Sequence, residues 1–250
     1  MPGPVFCRGD RLDLRAVEQT DVDRRFLGYV RNDPDFRRAL GFDSPWPRGR
    51  TDAFLESTLA DESNCNCFVC PRDHHREAGE GADGESTPPP GAERALPPGG
   101  ESALPPAVRE AQANADHPVA GAVNLFDVDR VSGTLSYWLF DAYRGRGYAS
   151  EAVSLLVDVA FADLGLHRIE AEVFAENDDS RRLLERLGFV HEGTMRECRI
   201  TNGDYGDVDR YAVLEDAWRR ERCSDADRRF DAAPDGDRDE VGAGGRSGRG

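Results

Sequence analysis

Thr134-Leu135-Ser136-Tyr137-Trp138-Leu139-Phe140 and, after residues 141–143, Arg144-Gly145-Arg146-Gly147-Tyr148-Ala149 are the stretch that decides the fold. The first segment is rich in aromatic and apolar residues and reads as a strand. From Ala149 to Leu164 the chain is apolar on nearly all sides except a stripe of Ser150, Ser154 and Asp158, so a largely buried helix is expected. The turn between them therefore sits at a helix N-terminus. There the backbone N–H groups of 146–150 can point at an anion near the positive end of the helix dipole. Small residues at 145, 147 and 149 let a ligand approach the backbone, and Arg144 and Arg146 can add charge-assisted bonds to phosphate. The same glycines would also suit a plain strand-to-helix turn.

Downstream, Arg168 to Phe174 alternates around Ile169, Ala171 and Val173, which predicts a strand with one face on the core and hence a parallel crossover. Asn177 reads as the N-cap of a short helix with Leu183, Leu184 and Leu187 as its buried stripe. Gly188 suits a left-handed turn that packs Phe189 back on Leu184. Another strand starts there, and Asp207 to Leu214 gives a last one. Residues 219–250, rich in Arg, Asp and Gly, read as a disordered tail.

Upstream, Leu12 to Arg15 alternates like a strand. Thr20-Asp21-Val22-Asp23 resembles a capping box that opens a helix through Val22, Phe26, Leu27 and Val30, and Asn32-Asp33-Pro34 stops it. A second amphipathic helix is expected from a cap at Thr51, burying Phe54, Leu55 and Leu59. Residues 66–70 and 119–127 read as strands. The Pro-, Gly- and Ala-rich stretch between them, about 71–116, reads as a disordered hairpin insertion within a domain spanning 10–218.

A length of 250 residues allows one sizeable α/β core with such extras. The net charge of −16 argues against direct nucleic-acid binding, which needs a basic surface to release counterions. All 32 basic residues are arginine, and an acidic, lysine-free surface suits a halophilic-type protein kept soluble in concentrated salt. No run approaches the ~18 apolar residues of a membrane span, and Met1 to Asp10 lacks the apolar run of a signal peptide, so a cytoplasmic location is expected. Cys65, Cys67, Cys70, His74 and His75 lie close together, yet no second Cys-x-x-Cys pair follows, so ordinary thiols are expected rather than zinc.

The spacing Arg144-x-x-Gly147-x-Ala149 resembles the Arg/Gln-x-x-Gly-x-Gly/Ala loop of the GNAT N-acetyltransferase family. Tyr137-Trp138, Asn177-x-x-Ser180, Leu187-Gly188-Phe189 and Glu192-Gly193 extend the resemblance to the branch that acetylates the N-termini of ribosomal and other proteins. A dinucleotide-binding fingerprint would instead need a third Gly or Ala where Ser150 stands, and an acid about 20 residues on at a strand end. The resemblance implies the α/β GNAT fold: a mixed central sheet whose central strands, near 135–140 and 168–174, splay apart, flanked by helices. It implies acetyl-CoA as co-substrate with no metal required. The cofactor would be held by the strand backbone through Leu139, by Arg144, Arg146, Gly147, Tyr148, Ala149 and Ser150, and by Asn177, which can cap its helix as well. The implied acceptor is a protein N-terminus or a small-molecule amine, with no membrane involved and the chain a monomer or homodimer.

By the same resemblance, an amine attacks the thioester directly, a backbone N–H near Tyr137 to Leu139 stabilises the oxyanion, and coenzyme A leaves as a thiolate. The tyrosine that protonates the thiolate in many relatives is Leu184 here, and Ser180 is the implied substitute, unless it serves only the first turn of its helix. The glutamate that the ribosomal branch pairs with that serine aligns with Arg199. An α-amine with a pKa near ~8 is partly neutral already, so a weak base acting through water suffices. Glu172 and Glu197 are the candidates, with solvated carboxylates as the alternative reading. Tyr137 and Trp138 either line the acceptor pocket or belong to the core. A non-catalytic acyl-CoA-binding module is the competing function, encouraged by Leu184 and Arg199.

Overall fold

The computed structural model describes residues 2–18, 20–39, 44–59, 61, 63–72, 104, 109, 117–201 and 204–222. In chain order the elements are β1 (Val5–Arg8), β2 (Leu12–Ala16), α1 (Asp21–Asn32), α2 (Pro34–Ala39), α3 (Arg48–Phe54, prolonged by a wider turn over Leu55–Leu59), β3 (Cys65–Pro71) and β4 (Gly121–Phe126). After these come β5 (Ser132–Leu139), a single turn at Asp141–Tyr143, α4 (Tyr148–Ala162), β6 (Arg168–Phe174), α5 (Asp178–Arg186), β7 (Val190–Thr201) and β8 (Asp204–Leu214). A last helix, α6, covers 215–222.

The eight strands make one sheet in the order β1-β2-β3-β4-β5-β6-β8-β7. Every neighbouring pair is antiparallel except β5 and β6, which the α4 crossover makes parallel. The register sorts the side chains. Leu14, Val69, Val123, Leu135, Ala171 and Tyr211 share the face covered by α4 and α5, whereas Phe68, Ala122, Trp138, Asn124 and Ser136 share the face under α1–α3. On the first face α4 buries Val153, Leu156, Val157 and Phe161, each stabilising the fold by about 1.5–3 kcal/mol relative to exposure. On the second, Phe26 of α1 meets Phe68 edge-on at 5.4 Å.

Several local expectations change. Thr20 caps α1 as predicted, its Oγ1 accepting the Asp23 N–H at 3.2 Å and its hydroxyl donating to the Asp23 carboxylate at 3.0 Å. That returned bond pulls Asp23 inward, so the buried stripe is Asp23, Phe26, Leu27 and Val30 at i, i+3, i+4 and i+7, and Val22 is exposed. Burial raises the Asp23 pKa. Helix α3 starts after Pro47, not at Thr51, because proline already has the φ that precedes a helix. Thr51 is instead buried inside it, Leu55 is buried, Phe54 is half-buried, and the side chain of Leu59 lies outside the described residues.

Most of 71–116 also lies outside them, but Pro71 ends β3 and Leu104 is 5% exposed within the core, so the insertion contributes a packed side chain. Of the tail, 219–222 belong to α6, whose Trp218 donates to the Asp158 carboxylate at 2.7 Å; residues 223–250 lie outside the described residues. Among the described residues no helix is long and apolar enough to cross a membrane.

One feature of the sheet positions the site. Strands β5 and β6 pair from Ser132↔Arg168 to Leu135↔Ala171 and no further, although β5 continues to Leu139 and β6 to Phe174. The two central strands part there, leaving an opening in the middle of the sheet.

Candidate active site

Helix α4 begins beside that opening. Its N-cap, Gly147, has φ 78° and ψ 3°, and no side chain caps the helix. The first intrahelical bond runs from the Glu151 N–H to the Gly147 carbonyl at 3.1 Å. Among the described residues the amides of Tyr148, Ala149 and Ser150 have no backbone acceptor, which leaves the first turn as donors with a positive dipole behind them. An L-residue at 147 would be strained at this φ, and its Cβ would fall 2.8 Å from Arg11 Nη2. The donor set fits a pyrophosphate, the strongly anionic part of acetyl-CoA.

Arg11, in the β1–β2 turn, escapes sequence reasoning entirely. Its guanidinium donates to the carbonyls of Arg146 at 2.7 Å and Gly147 at 3.3 Å, and to the Glu151 carboxylate at 2.8 Å. Its own N–H reaches the other Glu151 oxygen at 2.8 Å. The loop is thus held from behind, through its carbonyls, so that its amides face outward. The two arginines read as phosphate ligands behave differently. Arg144 donates to the Leu139 carbonyl at 3.3 Å and pairs with Asp141 at 3.1 Å, tying the end of β5 to the loop. Arg146 presents its carbonyl to Arg11 while its side chain is half-buried.

Across the opening, α5 is capped as expected: Asn177 Oδ1 accepts the Ser180 N–H at 3.1 Å. The Ser180 carbonyl accepts a bond from the Tyr137 hydroxyl at 3.4 Å, so Tyr137 bridges β5 to α5 on the α4 side of the sheet. Trp138, its neighbour, faces the opposite side. The pairing of these two as joint pocket residues therefore fails for a period-2 reason: adjacent strand residues cannot share a face. Burial raises the Tyr137 pKa to about 12.

The candidate bases are not brought to Ser180. Glu172 faces the α1–α3 side, where its carboxylate meets Arg210 at 3.1 Å and Arg199 at 3.6 Å. Glu197 is exposed on a bulge of β7 with φ 52°, its N–H donating to Asp207 at 2.8 Å. Ser180 belongs to α5, on the other face. Among the described residues no cluster of His, Cys, Asp and Glu could hold a metal. Cys65, Cys67 and Cys70 are free thiols along β3, burial pushes Cys70 up to about 12, and His74 and His75 lie outside the described residues.

On the α1–α3 side a cavity of about 450 Å³ reaches the opening at Trp138 and Ser136. Its walls are aromatic: Phe36, Trp46, Phe54, Phe126 and Trp138. Asn64 and Asn124 add amides, and Arg31 and Asp127 add charges of opposite sign. An opening in a sheet with an anion cradle on one side and an aromatic cavity on the other can bring a nucleotide-tailed thioester and an amine together from opposite faces.

The fold is the GNAT fold. Residues 99–190 match the family described as acetyltransferase (GNAT) domain. The solved structure of spermidine N-acetyltransferase from Vibrio cholerae in complex with CoA and spermine superposes with a TM-score of 0.60 at 21% identity, covering 84% of this chain and 99% of that one. An uncharacterized N-acetyltransferase derived from the SPbeta prophage of Bacillus subtilis is 37% identical over 37% of this chain and 54% of its own length. A second Bacillus subtilis protein, provisionally named a ribosomal N-acetyltransferase, is 30% identical over 45% of this chain and 63% of its own. Spermidine N(1)-acetyltransferase of Vibrio cholerae is 31% identical over 44% and 63%. The chain therefore spans between about half and two thirds of the length of the curated relatives it matches. The α4 loop borders the opening in the sheet, and the cavity under α1–α3 reaches it from the opposite face.

Proposed function

We propose that this chain is an acetyl-CoA-dependent N-acetyltransferase acting on a primary amine, with the N-terminal α-amine of a protein, such as a ribosomal protein, as acceptor. The observation that carries the reading is the parting of β5 and β6 beside a helix N-terminus that has no cap of its own. Acetyl-CoA would supply the thioester: the amine nitrogen takes the acetyl group, the carbon–sulfur bond breaks, and the proton lost by nitrogen ends on the sulfur. The chain's residues would hold and orient. The amides of Tyr148, Ala149 and Ser150 receive the pyrophosphate, Arg11 fixes the loop that carries them, and Asn177 and Ser180 border the opening from α5. Ser180 is the proposed proton donor to the departing sulfur.

Two relatives support different acceptors. The Bacillus subtilis protein provisionally named a ribosomal N-acetyltransferase supports the α-amine, and the spermidine N(1)-acetyltransferase supports a small-molecule amine. A non-catalytic acyl-CoA binder is the third reading, favoured by the ion pairs that occupy Glu172. Release of free thiol from acetyl-CoA, with peptides carrying free or pre-acetylated α-amines and with spermidine, separates the three. Turnover confined to free α-amines is expected. Acetyl-CoA binding without turnover of any amine would leave only the binding module.

A further inference from the structure

We infer that the cavity under α1–α3 selects its acceptor by charge and shape: it admits an α-amine on an uncharged aromatic or branched apolar first residue followed by peptide backbone, and it excludes polyamines. This rests on the acetyltransferase reading above and adds the class of acceptor.

The exclusion follows from where the cations already are. A polyamine carries several ammonium groups, and each one taken from water needs a carboxylate or an aromatic face in exchange. Among the described residues that line the cavity there is one carboxylate, Asp127, and it is exposed. Two of the cavity's aromatic faces already carry guanidiniums: Arg31 lies 4.5 Å from the Trp46 ring centre and 4.0 Å from that of Phe54, and Arg50 lies 4.0 Å from Trp46. Burial pulls the Arg31 pKa down to about 10, yet the group remains charged at neutral pH, so these two faces stay occupied by a cation.

The admission follows from the remaining surface. Asn124 is 9% exposed and lies opposite Asn66 in the β3–β4 ladder. Both polar atoms of the Asn66 side chain, and Oδ1 of Asn64, are buried among the described residues with no hydrogen-bond partner. Asn64 and Asn124 beside Ser136 offer donors and acceptors matched to peptide amides. Phe36 and Trp138, edge to face at 4.8 Å, leave apolar walls for an uncharged side chain.

Proton chemistry gives a second, independent argument. Glu172 is paired with two guanidiniums and Glu197 is exposed on its bulge, so neither carboxylate stands free beside the opening. An acceptor must then arrive largely deprotonated. An α-amine near pKa ~8 is on the order of 200-fold more neutral at pH 7 than an alkylamine near ~10.4.

The experiment has two stages. Calorimetry first measures acetyl-CoA alone; absence of binding removes the acetyltransferase reading and this inference with it. With binding established, kcat/KM is measured at saturating acetyl-CoA for one peptide body bearing Phe, Leu, Asp or Arg at its first position, and for spermidine. The Phe and Leu peptides are expected to exceed spermidine and the charged-first peptides by at least ~30-fold. Asn124→Leu should raise the KM of the Phe peptide about tenfold with the acetyl-CoA Kd unchanged, and Ser136→Ala serves the same purpose if that variant does not fold. Spermidine turned over as well as the Phe peptide, peptides indifferent to their first residue, or a KM unmoved by a folded variant would each overturn the inference while leaving the acetyltransferase reading in place.

Discussion

Helices α4 and α5 both start at the opening in the sheet, and they start in opposite ways. Helix α4 begins at a glycine in the left-handed region with no capping side chain, and the acid in its first turn, Glu151, is held by Arg11. Helix α5 begins at Asn177, whose side chain caps it, and carries Asp178 and Asp179 in its first turn. Those two carboxylates pair with Arg181 at 3.3 Å and Arg182 at 2.7 Å. One helix end is left open for an outside anion; the other is already satisfied by its own chain and would repel a second anion. In the proposed reading a pyrophosphate would be directed to α4, leaving α5 to meet the less charged pantetheine arm and the reacting groups.

The largest expected effect erases the difference at α4. Gly147→Asp puts a side chain where φ is 78° and adds a carboxylate among the donors, so acetyl-CoA affinity should fall at least ~100-fold, or about 2.7 kcal/mol. Calorimetry on protein shown to be folded by its melting curve reads this, and unchanged affinity would mean that the cofactor enters elsewhere.

Arg11→Ala tests whether the open end must be held from behind. Losing three side-chain bonds to the loop should raise the acetyl-CoA Kd roughly tenfold, about 1.4 kcal/mol, with kcat at saturation little changed. Arg11→Lys should rescue poorly, since an ammonium cannot span three acceptors laid out for a planar fork. A Kd equal to that of the parent would make the brace ornamental.

The smallest effects sharpen the α5 side. Asn177→Ala removes the cap and should lower stability by ~1 kcal/mol. Ser180→Ala should leave stability nearly intact and reduce turnover more than it raises the KM for acetyl-CoA, because a bond to the departing sulfur matters chiefly in the transition state. Melting curves and steady-state kinetics on the same preparations read both. Full turnover with Ser180→Ala would leave Ser180 a first-turn residue only.

The same contrast explains what could be read in advance. Asn177 and Gly188 declare themselves through local chemistry, a short capping side chain and a left-handed φ, and each is found in that role. The strand pattern around Ile169, Ala171 and Val173 likewise gives both the element and its buried face. Arg11 was silent because its partners lie 135 residues or more downstream, and an exposed arginine near a turn carries no local signal. Alternation sets Tyr137 and Trp138 on opposite faces, but it does not tell which face looks into a cavity. Val22 and Asp23 exchanged places because one cap bond decided the helix phase. Leu104 was hidden by the prolines around it, although its side chain packs in the core.

The ion pairs described throughout are guanidinium pairs, because the sequence contains no lysine. A guanidinium stays protonated in proteins and is no nucleophile toward a thioester. No side chain of this chain therefore offers a primary amine to activated acetyl groups. Radiolabel from acetyl-CoA found on side-chain nitrogen in a reaction mixture will be on the acceptor and not on the protein's own surface.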